Sequence, residues 1–258
     1  MYLKRIFLPL LIVLLMFIGA CDWFLGEGDS PNPRLSLFIG LDISGSFLHS
    51  KYFDDSINFL AHYIYAHLNG LGGLEVPNVL YVSSIGGAQA NEPKTFYPIQ
   101  TFENKSVAEI AEKLREIFPK NISNPYTDYN AFFEQVALMV RNKNLVLRPI
   151  SIVMISDGIP DVKKEGETDF RSLVVKPLEQ LARSVTIRLI YTSAVTGKNW
   201  QTKVKRRRVK IWTQDAEVMV YWKDPAILLS DTPLEEQDRF IDWIKDNVDF
   251  GVRSRRVD

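Results

Sequence analysis

Two acidic residues stand at the ends of predicted strands, and small or polar residues follow each of them. Asp42 opens the segment Asp42-Ile43-Ser44-Gly45-Ser46, and Asp157-Gly158 comes after a second apolar run. A carboxylate at the end of a buried strand must be solvated, hydrogen-bonded or bound to a metal. The hydroxyls of Ser44 and Ser46 can point to one side of their loop, because Gly45 relieves the backbone between them. These residues predict a small cage of oxygen atoms.

The pattern of apolar residues places both acids at one edge of a sheet. Runs typical of buried strands alternate with stretches of helical periodicity. We predict strands at 35–43, 79–85, 96–99, 150–155, 186–192, 209–213 and 218–222. We predict helices at 53–68, 107–117, 128–142 and 170–182, the last of these broken at Pro177, and a final helix that begins at the capping box Thr232-Pro233-Leu234-Glu235.

This alternation predicts an α/β fold, with a doubly wound, mostly parallel central sheet flanked by helices on both faces. Right-handed crossovers then place the carboxyl ends of the parallel strands along one edge. Ligands of such sheets bind at that edge. The two acidic loops are therefore expected to lie close together.

The polar segments also resemble a known motif. Asp42-Ile43-Ser44-Gly45-Ser46 is similar to the Asp-x-Ser-x-Ser motif of von Willebrand factor A (vWA) domains. Thr127 resembles the threonine of that family, and Asp157-Gly158 resembles its second acidic loop, in the same order along the chain. The resemblance covers roughly residues 34–248 and implies a Rossmann-like vWA fold with a metal-ion-dependent adhesion site (MIDAS).

The resemblance implies how this site would bind a cation. Ser44, Ser46 and Thr127 would offer hydroxyl oxygens directly, while Asp42 and Asp157 would act directly or through water. Hard oxygen ligands suit Mg²⁺, with Mn²⁺ or Ca²⁺ as substitutes. A cation without a directly bound carboxylate keeps most of its charge, so an acidic residue of a protein partner can complete its coordination shell.

One feature departs from the family pattern. Thr127 follows Asn124-Pro125-Tyr126, where a glycine-rich segment is usual. Proline stiffens this loop. We expect Tyr126 to lie over the metal.

The amino-terminal residues have the layout of an export signal. Lys4 and Arg5 precede an apolar run that is shorter than the roughly 20 residues of a membrane span. The segment Ile18-Gly19-Ala20-Cys21 resembles a bacterial lipobox, which implies cleavage before Cys21 and lipidation of that residue. Cys21 is the only cysteine, so no intramolecular disulfide is possible. Several acyl chains suffice for stable anchoring.

These features predict the domain organisation and location. Residues 1–20 form the lipoprotein signal peptide, 21–33 the lipidated amino terminus and tether, 34–250 the vWA domain and 251–258 a tail. The expected location is the bacterial cell envelope. Asp22 resembles an inner-membrane retention signal, which favours the periplasmic side of the inner membrane over the outer membrane.

Charge and the remaining motifs narrow the functional classes. The chain has 31 basic and 31 acidic residues, so its net charge does not indicate nucleic-acid binding. Its three histidines are interpreted as structural. The basic run 203–210 is either a solvated helix end or a surface for anionic headgroups or an acidic partner. The acids at 161–169 either form a solvated loop or extend the metal site.

Three functions remain open. The leading hypothesis is a metal-dependent binding module on a membrane, which is not an enzyme. A structural envelope lipoprotein with a vestigial metal site is the alternative. A Mg²⁺-dependent hydrolase that uses Asp42 or Ser44 is a weaker one, because the chain has no Gly-x-Ser-x-Gly elbow and no Gly-x-x-x-x-Gly-Lys loop.

Overall fold

The structure is a computed structural model that describes residues 33–87, 89, 92–121, 126–161, 163–164, 167–182 and 184–250. The expected leader, Cys21, all of the tether before Pro33 and the tail 251–258 lie outside the described residues. Residues from Arg34 onward form a unit with its own core. Among the described helices, none has the length and apolar character needed to span a bilayer.

The described residues form ten strands of two to eight residues. In chain order they are β1 (Ser36–Leu41), β2 (Val79–Ser84), β3 (Gly86–Gly87), β4 (Tyr97–Pro98), β5 (Tyr126–Thr127), β6 (Ile150–Ile155), β7 (Lys163–Lys164), β8 (Glu167–Thr168), β9 (Val185–Thr192) and β10 (Val209–Asp215). Most of them follow the predicted apolar runs. β1 and β6 are buried at every position, as expected for central strands covered on both faces.

The central sheet has the order β10-β9-β6-β1-β2-β4. All neighbouring strands are parallel except the edge strand β4, which is antiparallel to β2. The pairing aligns the first residues of five strands in one row, Val209, Val185, Ile150, Ser36 and Val79. All five strands therefore end at the opposite edge, where Asp42 and Asp157 leave the sheet.

Helices cover both faces of this sheet. They are α1 (Gly45–Leu48), α2 (Phe53–Leu68), α3 (Val107–Ile117), α4 (Tyr129–Asn142), α5 (Lys176–Glu179), α6 (Ala194–Lys203), α7 (Ala216–Met219) and α8 (Asp238–Asn247). One apolar core includes side chains of α2, α3 and α8, and a second includes side chains of α4, α5 and α6. The predicted fold class, a doubly wound and mostly parallel sheet between helical layers, is confirmed.

The predicted helix at 170–182 is wrong in extent. The chain instead forms a 3₁₀ helix at Phe170–Ser172 and then the single turn of α5, with Pro177 in its first turn. Proline disfavours helical geometry in the residue before it and has no N–H to donate. Pro177 therefore starts a short helix and does not kink a long one.

The predicted strand at 218–222 is also wrong. This segment belongs to α7 and to the 3₁₀ helix Val220–Lys223. The Asp215 carboxylate accepts a hydrogen bond from the Glu217 N–H, which caps α7 and ends β10. Met219 and Trp222 are buried three residues apart, which is a helical spacing that a short apolar run does not reveal.

The final helix begins later than predicted. Leu234–Glu236 form a 3₁₀ helix, and α8 starts at Asp238. The Glu235 carboxylate does not close the predicted capping box, because it accepts a hydrogen bond from the Tyr65 hydroxyl of α2. The buried Gln237 side chain fixes the turn before α8 through both the N–H and the C=O of Leu229.

Candidate metal centre

Asp42 is held rigidly where β1 leaves the sheet. Its backbone N–H donates to the Ile155 C=O (2.9 Å), which continues the ladder between β1 and β6 by one residue. Its carboxylate is fully buried. Oδ1 accepts the Ser44 N–H (2.8 Å), and Oδ2 accepts the Ser156 hydroxyl (2.5 Å). The chain thus presents a buried acid with both oxygens already oriented.

Burial sets the ionisation of this acid. Desolvation raises the pKa of Asp42 to about 6, against hydrogen bonds from Ser156 and Ser44 that lower it, and the nearby charge of Asp157 raises it further. Two carboxylates that share a buried region repel each other. A cation beside Asp42 would favour its ionised form, so the electrostatics of this site suit a positively charged ligand.

Ser44 and Ser46 supply two adjacent hydroxyl oxygens. Ser44 is extended and precedes the first residue of α1, which turns the chain so that the two hydroxyls lie 3.2 Å apart. Ser44 is buried, while Ser46 is exposed. Two of the predicted ligand hydroxyls are therefore adjacent on this loop, one on a buried residue and one on an exposed residue.

Thr127 reaches the same edge through a different element. β5 pairs with β3, and β3 follows directly from β2, the neighbour of β1. The Ile85 N–H between β2 and β3 donates to the Leu41 C=O (2.9 Å), so this extension lies against the end of β1. Thr127 is buried, yet its hydroxyl forms no hydrogen bond within the described part of the chain. A hydroxyl that is not committed to another described residue is free to bind a ligand.

Ser156 connects the three loops, and the sequence interpretation did not include it. Its hydroxyl donates to Asp42 and accepts hydrogen bonds from the Gly158 N–H (2.9 Å) and the Tyr129 hydroxyl (2.6 Å). Tyr129 is buried in the first turn of α4. Burial, together with the charges of Asp42 and Asp157, raises its pKa well above the usual value, so Tyr129 remains a donor. This network orients the Asp42 carboxylate.

Asp161 is a second residue with a specific contact here. Its carboxylate accepts the backbone N–H of Thr127, which ties the second acidic loop to β5. The hypothesis that acids after Asp157 extend the site thus has a structural counterpart in Asp161, although Asp161 contacts the backbone of Thr127. In the sequence, the only indication that Asp161 belongs to this site is its position four residues after Asp157.

A bulge in β9 helps to hold Asp157. The register passes from Ile190 opposite Gln214 to Thr192 opposite Asp215, which leaves Tyr191 unpaired with φ of 68°. The bulge points Thr192 towards the acidic loop, where its hydroxyl donates to the Asp157 C=O (2.8 Å). The Asp157 carboxylate in turn accepts the Ile159 N–H (3.0 Å).

Gly158 is required by the shape of this loop. Its φ of 78° lies in the left-handed region, and a Cβ atom would come within 2.7 Å of the Leu189 side chain. The Gly158 C=O also accepts the indole N–H of Trp200 (2.7 Å), so the loop cannot shift freely.

We therefore expect Gly158→Ala to destabilise the fold by about 1–3 kcal/mol, from the strained backbone and the overpacked core. It should also weaken cation binding, because Asp157 is the adjacent residue. Urea denaturation and calorimetric titration of the full chain would measure the two effects. Gly73→Ala is the matched control, because Gly73 also has a positive φ of 80° but no atom near its Cβ position. Equal losses of cation affinity in both variants would contradict the argument.

The structure also describes Tyr126 and two of the histidines discussed above. Tyr126 is nearly half exposed and pairs with Gly87, while Asn124 and Pro125 lie outside the described residues. His62 donates its Nδ1–H to the Asn58 C=O (2.8 Å), and the buried His67 donates to the Glu75 C=O (3.0 Å), so both histidines make contacts within the fold. No group of three or more His, Cys, Asp or Glu side chains in the described ranges could hold a metal by itself.

No family model and no curated protein sequence matches this chain. Manganese-loaded TRAP of Plasmodium vivax aligns at 15% identity over 73% of this chain and 71% of its own, with a TM-score of 0.45. Proximal thread matrix protein 1 of the mussel byssus aligns at 13% identity over 72% of this chain, with a TM-score of 0.43.

This chain spans 45% of the mussel protein, which is less than half of it. The VWA domain of SpRpn10 aligns at 12% identity over 83% of this chain and 95% of its own, with a TM-score of 0.37. Within this chain, five parallel strands with an antiparallel edge strand present the Asp-x-Ser-x-Ser, threonine and Asp-Gly loops at one edge. This is a vWA-type fold.

Proposed function

We propose that this chain is a lipid-anchored vWA protein of the bacterial cell envelope that binds a divalent cation and, through it, a protein partner. The observation that carries the proposal is the meeting of three separate loops at one sheet edge. Asp42 is linked to Ser44 and Ser156, and Tyr129 and Asp161 link the segment around Thr127 to the Ser156–Asp161 loop.

Five residues would hold the cation. Ser44, Ser46 and Thr127 offer hydroxyl oxygens, and Asp42 and Asp157 offer carboxylates. Mg²⁺ suits this set of hard ligands, with Mn²⁺ or Ca²⁺ as substitutes. When bound, the cation would supply a positive centre that attracts an acidic side chain of the partner. The protein's own part is to keep the oxygens oriented, through Ser156 and the backbone of the Asp42 loop.

The surface beside these residues suits a protein partner. An open depression of about 520 Å³ adjoins Asp157. Two apolar side chains of its lining are exposed, Ile159 at 45% and Val195 at 73%. Exposed apolar residues grouped next to a polar centre are typical of interaction sites. A partner segment could place an acidic residue at the cation and apolar residues in this depression.

Catalysis is not part of the proposal. The Ser44 hydroxyl contacts the Ser46 hydroxyl, and the Ser156 hydroxyl is committed to Asp42. None of the hydrogen bonds formed by the described residues joins a histidine to either loop serine, so a nucleophile activated by a neighbouring base has no support. A structural lipoprotein with a vestigial site remains the competing function, and cation binding distinguishes it.

The anchor and location rest on the amino-terminal residues. Cys21, preceded by Ile18-Gly19-Ala20, is the proposed lipidation site. Asp22 favours the periplasmic side of the inner membrane over the outer membrane. Mass spectrometry of the full chain from a bacterial membrane, compared with a Cys21→Ala variant, tests this directly. An unmodified Cys21 would contradict it.

Thr127→Ala should reduce affinity for Mg²⁺ and Mn²⁺ at least tenfold, about 1.4 kcal/mol, because it removes a ligand oxygen. Thr127→Ser keeps that oxygen and should stay within a few-fold of the unchanged chain. Calorimetric titration of the full chain in detergent is the measurement. No binding by the unchanged chain would remove the metal-dependent function and leave the structural one. Equal affinities in both variants would exclude Thr127 as a ligand.

Partner binding needs a separate experiment. Membranes that contain the tagged full chain would be crosslinked with Mg²⁺ or with a chelator, and the products compared with those of Thr127→Ala. We expect crosslinked partners that require both the cation and Thr127. A set of partners that is identical in all three conditions would contradict a metal-dependent contact.

A further inference from the structure

The edge at which the parallel strands begin lies opposite the metal centre. β1, β6, β9 and β10 start in one row, from Ser36 to Val209. Three strand spacings separate the ends of this row, about 14 Å. The chain enters β1 here, directly after Arg34. The loops at this edge therefore form one surface, and the domain begins at that same surface.

This surface carries a high density of cations. Four consecutive basic residues, at 205–208, form the loop between α6 and β10. The surface also includes cationic residues before β1, after α4, before β6 and at the end of α6, namely Arg34, Lys143, Arg148 and Lys203. None of these eight side chains forms an ion pair with another described residue. The Lys203 ammonium lies over the Phe170 ring.

Few acidic groups offset these charges. Glu179 accepts the backbone N–H of Arg207, and Glu75 lies exposed before β2. Asp246 and Asp249 follow at the end of α8, where Asp249 is paired with His67 and Arg188. The surface is therefore strongly positive, although the whole chain is neutral. At the opposite edge, Asp161 is exposed and Asp157 is partly exposed.

An exposed apolar loop stands among the cations. Between α4 and β6, Leu147 is 74% exposed and Val146 is 40% exposed, with Lys143 and Arg148 close in sequence on either side. Leu147 has a φ of 74°, which is rare for a branched apolar residue. Its N–H is fixed by the Leu181 C=O (2.9 Å), so the side chain is held outward. An exposed apolar tip beside cations is the composition of a membrane-interface contact.

We propose that this basic edge, with Leu147 at its tip, rests on the anionic headgroups of the lipid bilayer. The inference builds on the proposed lipid anchor. The twelve residues between Cys21 and Arg34 reach at most about 40 Å, so an anchored chain keeps this edge near the bilayer. The contact would hold the metal centre at the far side of the domain, directed away from the membrane and open to a partner.

The test measures which edge faces the lipid. A fluorescent label is attached to the full chain at Val146→Cys, or at Glu217→Cys, which follows the opposite end of β10. The protein is reconstituted in vesicles of phosphatidylcholine alone or with phosphatidylglycerol, each containing lipids with a spin-labelled headgroup that quenches nearby fluorescence. We expect quenching at position 146 in anionic vesicles to be several-fold stronger than in neutral ones, and little quenching at position 217 in either.

Charge variants show whether the basic loop causes the difference in quenching between neutral and anionic vesicles. Replacing residues 205–208 by glutamine should abolish the difference between neutral and anionic vesicles, since each cation near an anionic surface contributes about fivefold to binding. A control variant replaces four cations elsewhere, Lys51, Lys120, Lys198 and Arg239, and should keep the difference. Equal quenching at position 146 in both vesicles would overturn the proposal, as would equal loss in both charge variants.

The lipid anchor is tested by measurements that do not depend on this contact. Mass spectrometry reports acylation of Cys21, and flotation of each variant with neutral vesicles reports attachment. An unmodified chain contradicts the anchor, and the same labels on a Cys21→Ala background then report whether the basic edge prefers anionic lipid. An acylated chain that floats but shows no quenching difference contradicts only the inference about the edge. That last result would favour an acidic protein as the ligand of the basic loop.

Discussion

Replacing Asp42 with asparagine is expected to remove all stabilisation by Mg²⁺ while leaving the fold intact. Asparagine has the same shape, and its oxygen can still accept the Ser44 N–H. It removes a fully buried charge whose ionised form is disfavoured by desolvation and by Asp157. We therefore expect Asp42→Asn to melt, in a chelator, close to the temperature of the unchanged chain, because relief of the buried charge offsets the lost hydrogen bond from Ser156.

The cation should stabilise only the unchanged chain. A ligand present at about 100 times its dissociation constant stabilises the folded state by about 2.7 kcal/mol. Thermal unfolding of the full chain, with Mg²⁺ and with a chelator, measures this increment for each variant. Glu217→Gln is the matched control, because it removes an exposed acid at the same edge and should keep the increment. A full increment in Asp42→Asn would show that Asp42 does not support the cation.

The positions of the acidic loops could be predicted because they follow from one-dimensional patterns. A mostly apolar run that ends near an acid indicates where a buried parallel strand leaves the sheet, and Asp42 and Asp157 both lie there. Thr127 has no such pattern, since β5 has only two residues. Its assignment depended on the family resemblance, and the structure brings it to the same edge through β3.

The contacts that orient the site could not be predicted. Ser156 and Asp42 are 114 residues apart in sequence. Tyr129, which contacts Ser156, lies in a third segment, at the start of α4. A serine next to an acid and a tyrosine in the first turn of a helix are ordinary in any sequence. Only the packing of α4 against the sheet brings these hydroxyls together, so their role depends on tertiary structure.

Segments with short apolar runs were predicted least well, because their conformation also depends on tertiary contacts. The bulge at Tyr191 turns its side chain to the face of the sheet where its hydroxyl donates to Asp55 (2.8 Å). Trp222 also donates to Asp55, from the segment predicted as a strand. The buried acid Asp55 thus binds side chains from two other elements, and patterns based on hydrophobic period do not include such contacts.

The carboxyl end of the domain contains the residue whose loss should affect folding most. Asp249 follows α8, and its carboxylate accepts the Tyr63 hydroxyl (2.9 Å) and pairs with His67 (2.8 Å) of α2. Arg188 of β9 lies 3.6 Å away. These contacts join the end of the domain to the central sheet and to α2.

We expect Asp249→Ala to destabilise the full chain by about 3–5 kcal/mol, because it leaves buried cationic and hydroxyl groups without their partner. Asp242→Ala is the control. It breaks an exposed ion pair with Lys245 on the same helix, and the expected loss is at most about 1 kcal/mol. Urea denaturation measures both. Similar losses in the two variants would show that the buried cluster adds little to the stability of the fold.

The same cluster should make stability depend on pH. Burial alone would lower the pKa of His67, but the charge of Asp249 and its hydrogen bonds outweigh burial and raise it. Burial would raise the pKa of Asp249, but His67, Arg188 and Tyr63 outweigh it and lower it. The raised pKa of His67 adds stability that is complete below the unfolded value of 6.5 and is lost as the pH rises through the folded pKa.

The lowered pKa of Asp249 acts in the opposite direction. Its contribution is complete above the unfolded value of 3.8 and is lost as the pH falls through the lower folded pKa. Both contributions are therefore complete between these two unfolded values. We expect urea denaturation in that window to show the largest difference between the unchanged chain and Asp249→Ala, with a smaller difference above the folded pKa of His67. A difference that does not change with pH would mean that Asp249 stabilises the fold through hydrogen bonds and packing, without help from the charge of His67.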